Sequence, residues 1–385
     1  MRKVSDTITR FAAMRGERVF SQGPDRLSDL ADFGANPGAL RARFFAPENL
    51  PIGAPLVVVL HGCSQSAAGY DHGSGWSRLA AEEGFAVLFP EQQRANNPHL
   101  CFNWFVPGDV TRDRGEVFSI CQMIEAIVMK HGLDRSRIFI TGLSAGGAMA
   151  NAMLATYPEL FAGGAIIAGL PYGSASTIPE AFDRMRGYGG PSSSELQQRL
   201  VEASRHQGTW PRISVWHGAA DNTVAPSNTD SIIAQWQGVH GVNADPTRGE
   251  TVDGHIRQVW CDSTGHELLE KYTVASMGHG TPLKTGGTDG LGNTAPFMRE
   301  VGISSTRRIA DFWGLTNGHA TKYSKLETGS GRSDGAKALC TYSASENARA
   351  VRTDKEERPR DRSRRPEADI GKTIEDALRA AGLMR

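Results

Sequence analysis

The chain lacks the ~18–20 consecutive apolar residues that a membrane-crossing helix needs, and it has no surplus of either charge. Forty-two basic side chains stand against 42 acidic ones. No basic, aromatic-interleaved stretch marks nucleic acid as a partner. Cysteine is scarce: five residues, an odd number spread widely, exclude a disulfide-dense scaffold, and no Cys-x-x-Cys pair suggests a zinc site. Residues 1–20 have neither the apolar core nor the cleavage site of a secretory signal. Their Ile8, Phe11, Ala12 and Met14 instead fit one face of a short amphipathic helix. Glycine is plentiful, at 44 residues, as expected for a fold with many tight strand-to-loop turns.

Short apolar strands alternating with helices indicate an α/β architecture, a mostly parallel sheet covered by helices on both faces. Strands are expected at 40–46, 56–60, 85–89, 138–141, 164–168 and 213–216. A helix is expected at 76–83. Another, at 116–131, carries Val117, Ile120, Ile124, Ile127 and Val128 at helical spacing. Residues 256–261 and 267–275 flank an Asp262–Gly265 turn and read as a hairpin, and a helix at 304–312 closes the domain. The expected domain therefore spans 40–315, behind an N-terminal extension of 1–39. After the sixth strand region, 173–208 is polar, glycine-interrupted and mostly helical. It reads as an insertion over the sheet's upper edge, either a substrate cap or a surface connection. Residues 316–385 turn Gly/Ser/Lys-rich and then strongly charged, the composition of a disordered tail. Within it Ile370, Ile374, Ala377, Leu378 and Ala381 form a short amphipathic stripe.

Residues 137–157, RIFITGLSAGGAMANAMLATY, carry the chemistry. A β-branched run meets Gly142-Leu143-Ser144-Ala145-Gly146, and a helix of small residues follows. This is the strand–turn–helix setting in which G-x-S-x-G becomes a nucleophile elbow of an α/β-hydrolase, with Ser144 as the nucleophile. Gly331-Arg332-Ser333-Asp334-Gly335 has the same spelling, but no apolar strand precedes it.

A serine hydroxyl needs a base, and the base needs a carboxylate to orient it. In this fold the chain order is Ser, acid, His, each on a loop after a strand. Asp221, in His217-Gly218-Ala219-Ala220-Asp221, meets that description. Its rival Asp230 falls inside an expected helix, DSIIAQW. His279 follows the hairpin's second strand, between Gly278 and Gly280. His255 and His266 belong to the hairpin and read as solvated, and His217 as a brace for the acid loop. The oxyanion requires N–H donors: Ala145, after the nucleophile, and Cys63, on the early His61-Gly62-Cys63 loop. A reactive Cys63 thiol is the weaker alternative. Phe102, Trp104 and Phe105 are candidates for an apolar substrate wall, Trp104 first among them, and Gln65 for substrate contact or for bracing the oxyanion loop. Trp76, Trp216 and Tyr172 are lesser candidates.

Together LHGCSQ (60–65), CFNWF (101–105), GLSAGGAMA (142–150), WHGAADNTV (216–224) and GHGTP (278–282) resemble the polyhydroxybutyrate depolymerase family of esterases, which includes feruloyl and acetylxylan esterases. The resemblance covers about residues 40–315. It implies a cofactor-free serine esterase acting through an acyl-enzyme on polyester, oligoester or small ester substrates. Ser144, Asp221 and His279 would be its triad, and the Cys63 and Ala145 N–H groups its oxyanion hole. It also implies a Cys63–Cys101 bridge, as in secreted members, and an extracellular location, while the absence of a readable signal leaves a cytoplasmic one open. Acyl transfer on the same triad, or a catalytically dead binding protein on the same scaffold, are the competing expectations. Oligomeric state is not legible.

Overall fold

Ten strands form one sheet at the centre of the computed structural model, which describes residues 25–316. They are β1 (Ser28–Asp29), β2 (Arg41–Phe45), β3 (Leu56–Leu60), β4 (Ala86–Glu91), β5 (Ile138–Leu143), β6 (Gly163–Ile167), β7 (Arg212–Gly218), β8 (Arg248–Val252), β9 (His255–Cys261) and β10 (Glu267–Val274). Their spatial order is β1-β2-β4-β3-β5-β6-β7-β10-β9-β8. The run from β4 to β10 pairs in parallel, and antiparallel strands finish both edges. A small parallel pair, β11 (Thr281–Leu283) and β12 (Met298–Glu300), stands apart. The mostly parallel α/β sheet expected from the sequence is thus present. Strand β1 adds residues N-terminal to position 40 to the sheet's edge. The expected helix near Ile8, the Gly331–Gly335 motif and the amphipathic stripe from Ile370 lie outside the described residues.

The apolar pattern of β3 explains why both faces are covered. Side chains alternate across a strand, and all five residues of LVVVL are buried. Leu56, Val58 and Leu60 pack with Ile120 and Ile124 of α3 (Gly115–His131) and Met149 and Met153 of α4 (Ala145–Thr156). Val57 and Val59 face the opposite core, with Leu79 of α2 (Trp76–Glu83) and Ile309 of α8 (Ser305–Phe312). Helix α1 (Ala67–Ser74) precedes α2 and shares Gly75 with it, at φ 77°, a left-handed corner that glycine occupies without strain. The 173–208 insertion folds as α5 (Ile178–Met185) and α6 (Ser193–Ser204), and α7 (Ser227–His240) follows β7. Among the described residues no helix is long and apolar enough to cross a membrane.

Parallel strands place their C-terminal ends at one rim, where open α/β sheets carry their ligands. The register is continuous there: Leu143 pairs with Ile167, Ile167 with Trp216, and Val274 with Gly218. Residues 144, 221 and 279 each follow one of these strand ends.

Candidate active site

Ser144 occupies a backbone conformation that a non-glycine residue rarely adopts, φ 57° and ψ −118°. The flanking glycines make it feasible. A Cβ on Gly142 would stand 2.3 Å from Gly146 O, and one on Gly146 would stand 2.4 Å from His61 O. The elbow therefore packs backbone-on-backbone against itself and against the 60–63 loop, which leaves no room for a side chain. Helix α4 starts at Ala145, so its positive end lies beside the Ser144 hydroxyl.

Asp221 and His279, 58 residues apart, meet at 2.7 Å between Oδ2 and Nδ1. A carboxylate only accepts, so Nδ1–H donates and Nε2 keeps the basic lone pair. The acid is held on every side. Its Oδ1 accepts from the N–H groups of Thr223 (2.8 Å) and Val224 (2.9 Å). His217 Nε2 lies 3.2 Å from Oδ2 and 2.8 Å from Val224 O, two acceptors that require a proton on Nε2. Burial by itself would raise the Asp221 carboxyl; the hydrogen bonds and charges of His217 and His279 outweigh it and hold the group well below the usual carboxylate range. Gly218 permits the convergence: a Cβ there would meet Met277 O at 2.2 Å, so the loops carrying Asp221 and His279 touch through their backbones.

Nε2 of His279 is buried and makes no hydrogen bond among the described residues, and none joins it to the Ser144 hydroxyl. In sites awaiting substrate this contact is often long. No acceptor among the described residues takes the N–H of Cys63 or of Ala145 either. Both residues line one cleft together with Ser144.

That cleft, about 270 Å³, runs from Ser144 between two walls. One is the 97–106 segment with Trp104 and Phe105. The other is α5, which contributes Ile178, Ala181, Phe182 and Met185, with Leu170 and Val224 closing the end. No lysine, arginine, aspartate or glutamate side chain lines it. Helix α5 is tied to the acid loop, since Met185 O accepts from Ala225 N (2.7 Å) and Arg184 O from Asn228 Nδ2 (2.9 Å). The inserted segment thus forms a wall of the cleft. Its signal was in the sequence: Ile178, Phe182 and Met185 are spaced along one helical face. The 61–65 loop is fastened to the first wall by a Cys63–Cys101 disulfide and by Ser64 N donating to His99 O at 2.8 Å.

Several expected contacts are elsewhere. Phe102 is not a wall of the cleft: it is 1% exposed, packed in the core with its ring 5.0 Å from His61. Gln65 does not line the cleft either: its Oε1 accepts the Gly62 N–H at 2.8 Å and steadies the 61–65 loop. Trp76 and Trp216 are core residues, the latter stacked on Tyr272 at 3.7 Å. His255 is buried rather than solvated, between Val301 O and Ala275 N. Asp230 lies on α7, paired with Lys271 away from the site.

Residues 41–257 match the family model described as "Esterase PHB depolymerase". Poly(3-hydroxyalkanoate) depolymerase C of Paucimonas lemoignei is 40% identical over 311 residues, covering 79% of this chain and 74% of that protein. Acetylxylan esterase A of Emericella nidulans is 30% identical over 270 residues, 68% of this chain and 87% of that protein. An acetyl xylan esterase structure from Aspergillus awamori superimposes with a TM-score of 0.64 at 24% identity, covering 75% of this chain and 99% of that one, a likeness of fold. The family match stops before His279, so placing that residue beside Asp221 rests on the hydrogen bond itself.

Proposed function

Because the chain belongs to the PHB depolymerase family of esterases and is a carboxylic ester hydrolase, we propose that it cleaves poly- or oligo(3-hydroxyalkanoate) and related short-chain esters with Ser144 as nucleophile, His279 as base and Asp221 as orienting acid. His279 Nε2 takes the serine proton as Oγ attacks the ester carbonyl. The N–H groups of Cys63 and Ala145 meet the oxyanion, assisted by the positive end of α4. The protonated imidazole then gives its proton to the leaving alcohol, and water releases the acyl group by the same steps.

The observation that carries the substrate class is the cleft. Its lining is mostly aliphatic and aromatic, with Asn97, His99 and Asn103 as the polar members and no Lys, Arg, Asp or Glu side chain, and Ser144 stands in it. Such a surface suits an aliphatic acyl unit, each Å² of buried contact contributing ~25 cal/mol, and gives a sugar hydroxyl few partners. The cleft lies just below the ~300–1,000 Å³ of ordinary ligand pockets, a size for a short segment of polyester. The test measures hydrolysis of p-nitrophenyl butyrate and of 3-hydroxybutyrate oligomers, with fluorophosphonate labelling. Wild type turns over both and is labelled. Ser144→Ala loses at least about a thousandfold in kcat and is not labelled. A folded Ser144→Ala protein with near-wild-type turnover overturns the assignment.

A further inference from the structure

Behind the aromatic wall lies a buried polar cluster that the proposed chemistry does not use. Glu116, in the first turn of α3, is fully buried. Its Oε1 accepts from Gln92 Nε2 (2.6 Å) and Asn96 Nδ2 (3.1 Å), and its Oε2 from the backbone N–H of Asn103 (2.9 Å). Asn103 immediately precedes Trp104 and itself lines the cleft. Its side chain bridges Asp109 Oδ2 and Asn97 Nδ2. Gln92 reaches the other way. Its backbone N–H donates to His61 Nε2 at 3.1 Å, beside the oxyanion loop, and its Nε2 also donates to Cys101 O at 3.0 Å. The segment from 97 to 106 has no regular secondary structure to hold it. Its position rests on these bonds, on the disulfide and on the Ser64 N–H donated to His99 O.

We propose that Glu116 is a positioning residue that sets acyl-chain selectivity: as the shared acceptor of Gln92, Asn96 and Asn103, it fixes the Asn103–Trp104–Phe105 wall relative to the oxyanion loop. This rests on the esterase reading above. The requirement is for an acceptor at both oxygens. Charged or protonated, each carboxyl oxygen keeps a lone pair, whereas an amide nitrogen has none to offer. In Glu116→Gln one orientation sets NH2 against the Asn103 N–H, and the other sets it against the amides of Gln92 and Asn96. The side chain keeps its volume, yet one contact becomes donor facing donor.

Steady-state kinetics on p-nitrophenyl acetate and p-nitrophenyl hexanoate test this. The acetyl group needs little beyond Ser144 and the oxyanion donors, whereas the hexanoyl chain lies along the wall. Glu116→Gln raises KM for hexanoate relative to acetate at least about fivefold, the order expected for losing a hydrogen bond to a buried acceptor, and leaves kcat on acetate within about twofold. Asn96→Ala, which removes one donor and does not line the cleft, shifts the same ratio about twofold in the same direction. An unchanged KM ratio in folded Glu116→Gln overturns the proposal, as does an equal fall of kcat on both esters. If Glu116→Gln does not fold, an unchanged ratio in Asn96→Ala overturns it. A wild-type protein inactive on both esters instead refutes the esterase reading, and the positioning role with it.

Discussion

Replacing Asp221 with asparagine tests the geometry of the proposed triad more sharply than deletion does. The substituted amide has two orientations. With its oxygen at the Oδ1 position it still accepts the Thr223 and Val224 N–H groups, which now stand at 2.8 and 2.9 Å. With NH2 there it would face two donors, so the first orientation wins. The NH2 group is then directed at His279 Nδ1, where a carboxylate oxygen stood at 2.7 Å. Nδ1 becomes the acceptor and the imidazole proton moves to Nε2. A histidine protonated at Nε2 cannot take the serine proton. His217 is less affected, since its Nε2–H retains Val224 O at 2.8 Å. The expected loss is about 10⁴-fold in kcat, the size a wrong-tautomer error causes in serine proteases, or ~5.5 kcal/mol of barrier. The assay is kcat and KM on p-nitrophenyl butyrate, with the rate of fluorophosphonate labelling falling in parallel and thermal unfolding showing an intact fold. Folded Asp221→Asn within about tenfold of wild type would refute the reasoning, because the amide would then have no consequence for the base.

Two aromatic neighbours should separate cleanly. Trp104→Ala opens the cleft and raises KM for butyryl and longer esters, by ~1–2 kcal/mol if the lost contact is about 40–80 Å², with little change in melting temperature. Phe102→Ala, in the core, costs about 3–5 kcal/mol of stability and leaves the ranking of ester chain lengths intact; unfolding curves and KM values distinguish the two. Removing the Cys63–Cys101 bridge as a double serine variant releases a crosslink across 38 residues, worth about 4 kcal/mol by loop entropy, and lowers kcat because the oxyanion loop loses its tie to the wall; urea unfolding and kinetics check both. Burial, aided by the charge of Asp109, pushes the Glu116 carboxyl from 4.5 up to about 8. Between those values the folded state holds one proton more than the unfolded chain, so wild-type stability falls as pH rises through the window. The melting-temperature difference between wild type and Glu116→Gln therefore moves against wild type from pH 5 to pH 8, and a constant difference would refute a raised carboxyl.

What the sequence made legible was local or repetitive. The elbow could be read because its cause, glycines at 142 and 146 where backbone meets backbone, lies within five residues. The parallel strands β3 to β7 could be read because each is a short run largely buried on both faces, and Asp221 and His279 could be proposed because each follows a strand end. Strand β8 could not be read, since Arg248–Val252 is polar, mostly exposed and joined to the sheet through its pairing with β9. The residue-level errors share one origin. Phe102 and Trp104 are equally aromatic and two positions apart, yet the disulfide and the bonds around Asn103 turn one inward and the other to the cleft. His255 and His266 belong to one hairpin, and only the packing of the 301 segment against it buries the first. Glu116 carried no signal either, because an acidic residue in the first turn of a helix is ordinary and its three donors arrive from distant loops.

The distribution of unsatisfied groups at the rim argues for a site prepared for an incoming ester. Buried polar atoms in a folded protein are usually paired, and Asp221 shows how thoroughly this one pairs them, with four donors around a single carboxylate. One turn away the pattern reverses. Ser144 holds a backbone conformation that costs about 1–3 kcal/mol, and among the described residues His279 Nε2 has no hydrogen-bond partner and the N–H groups of Cys63 and Ala145, which line the apolar cleft, have no acceptor. One ligand would engage all three: a polar carbon centre with one oxygen for the N–H groups and one bond to Ser144 Oγ, whose proton His279 accepts. An ester passing through its tetrahedral intermediate has that shape, and pairing these groups with it would lower the barrier.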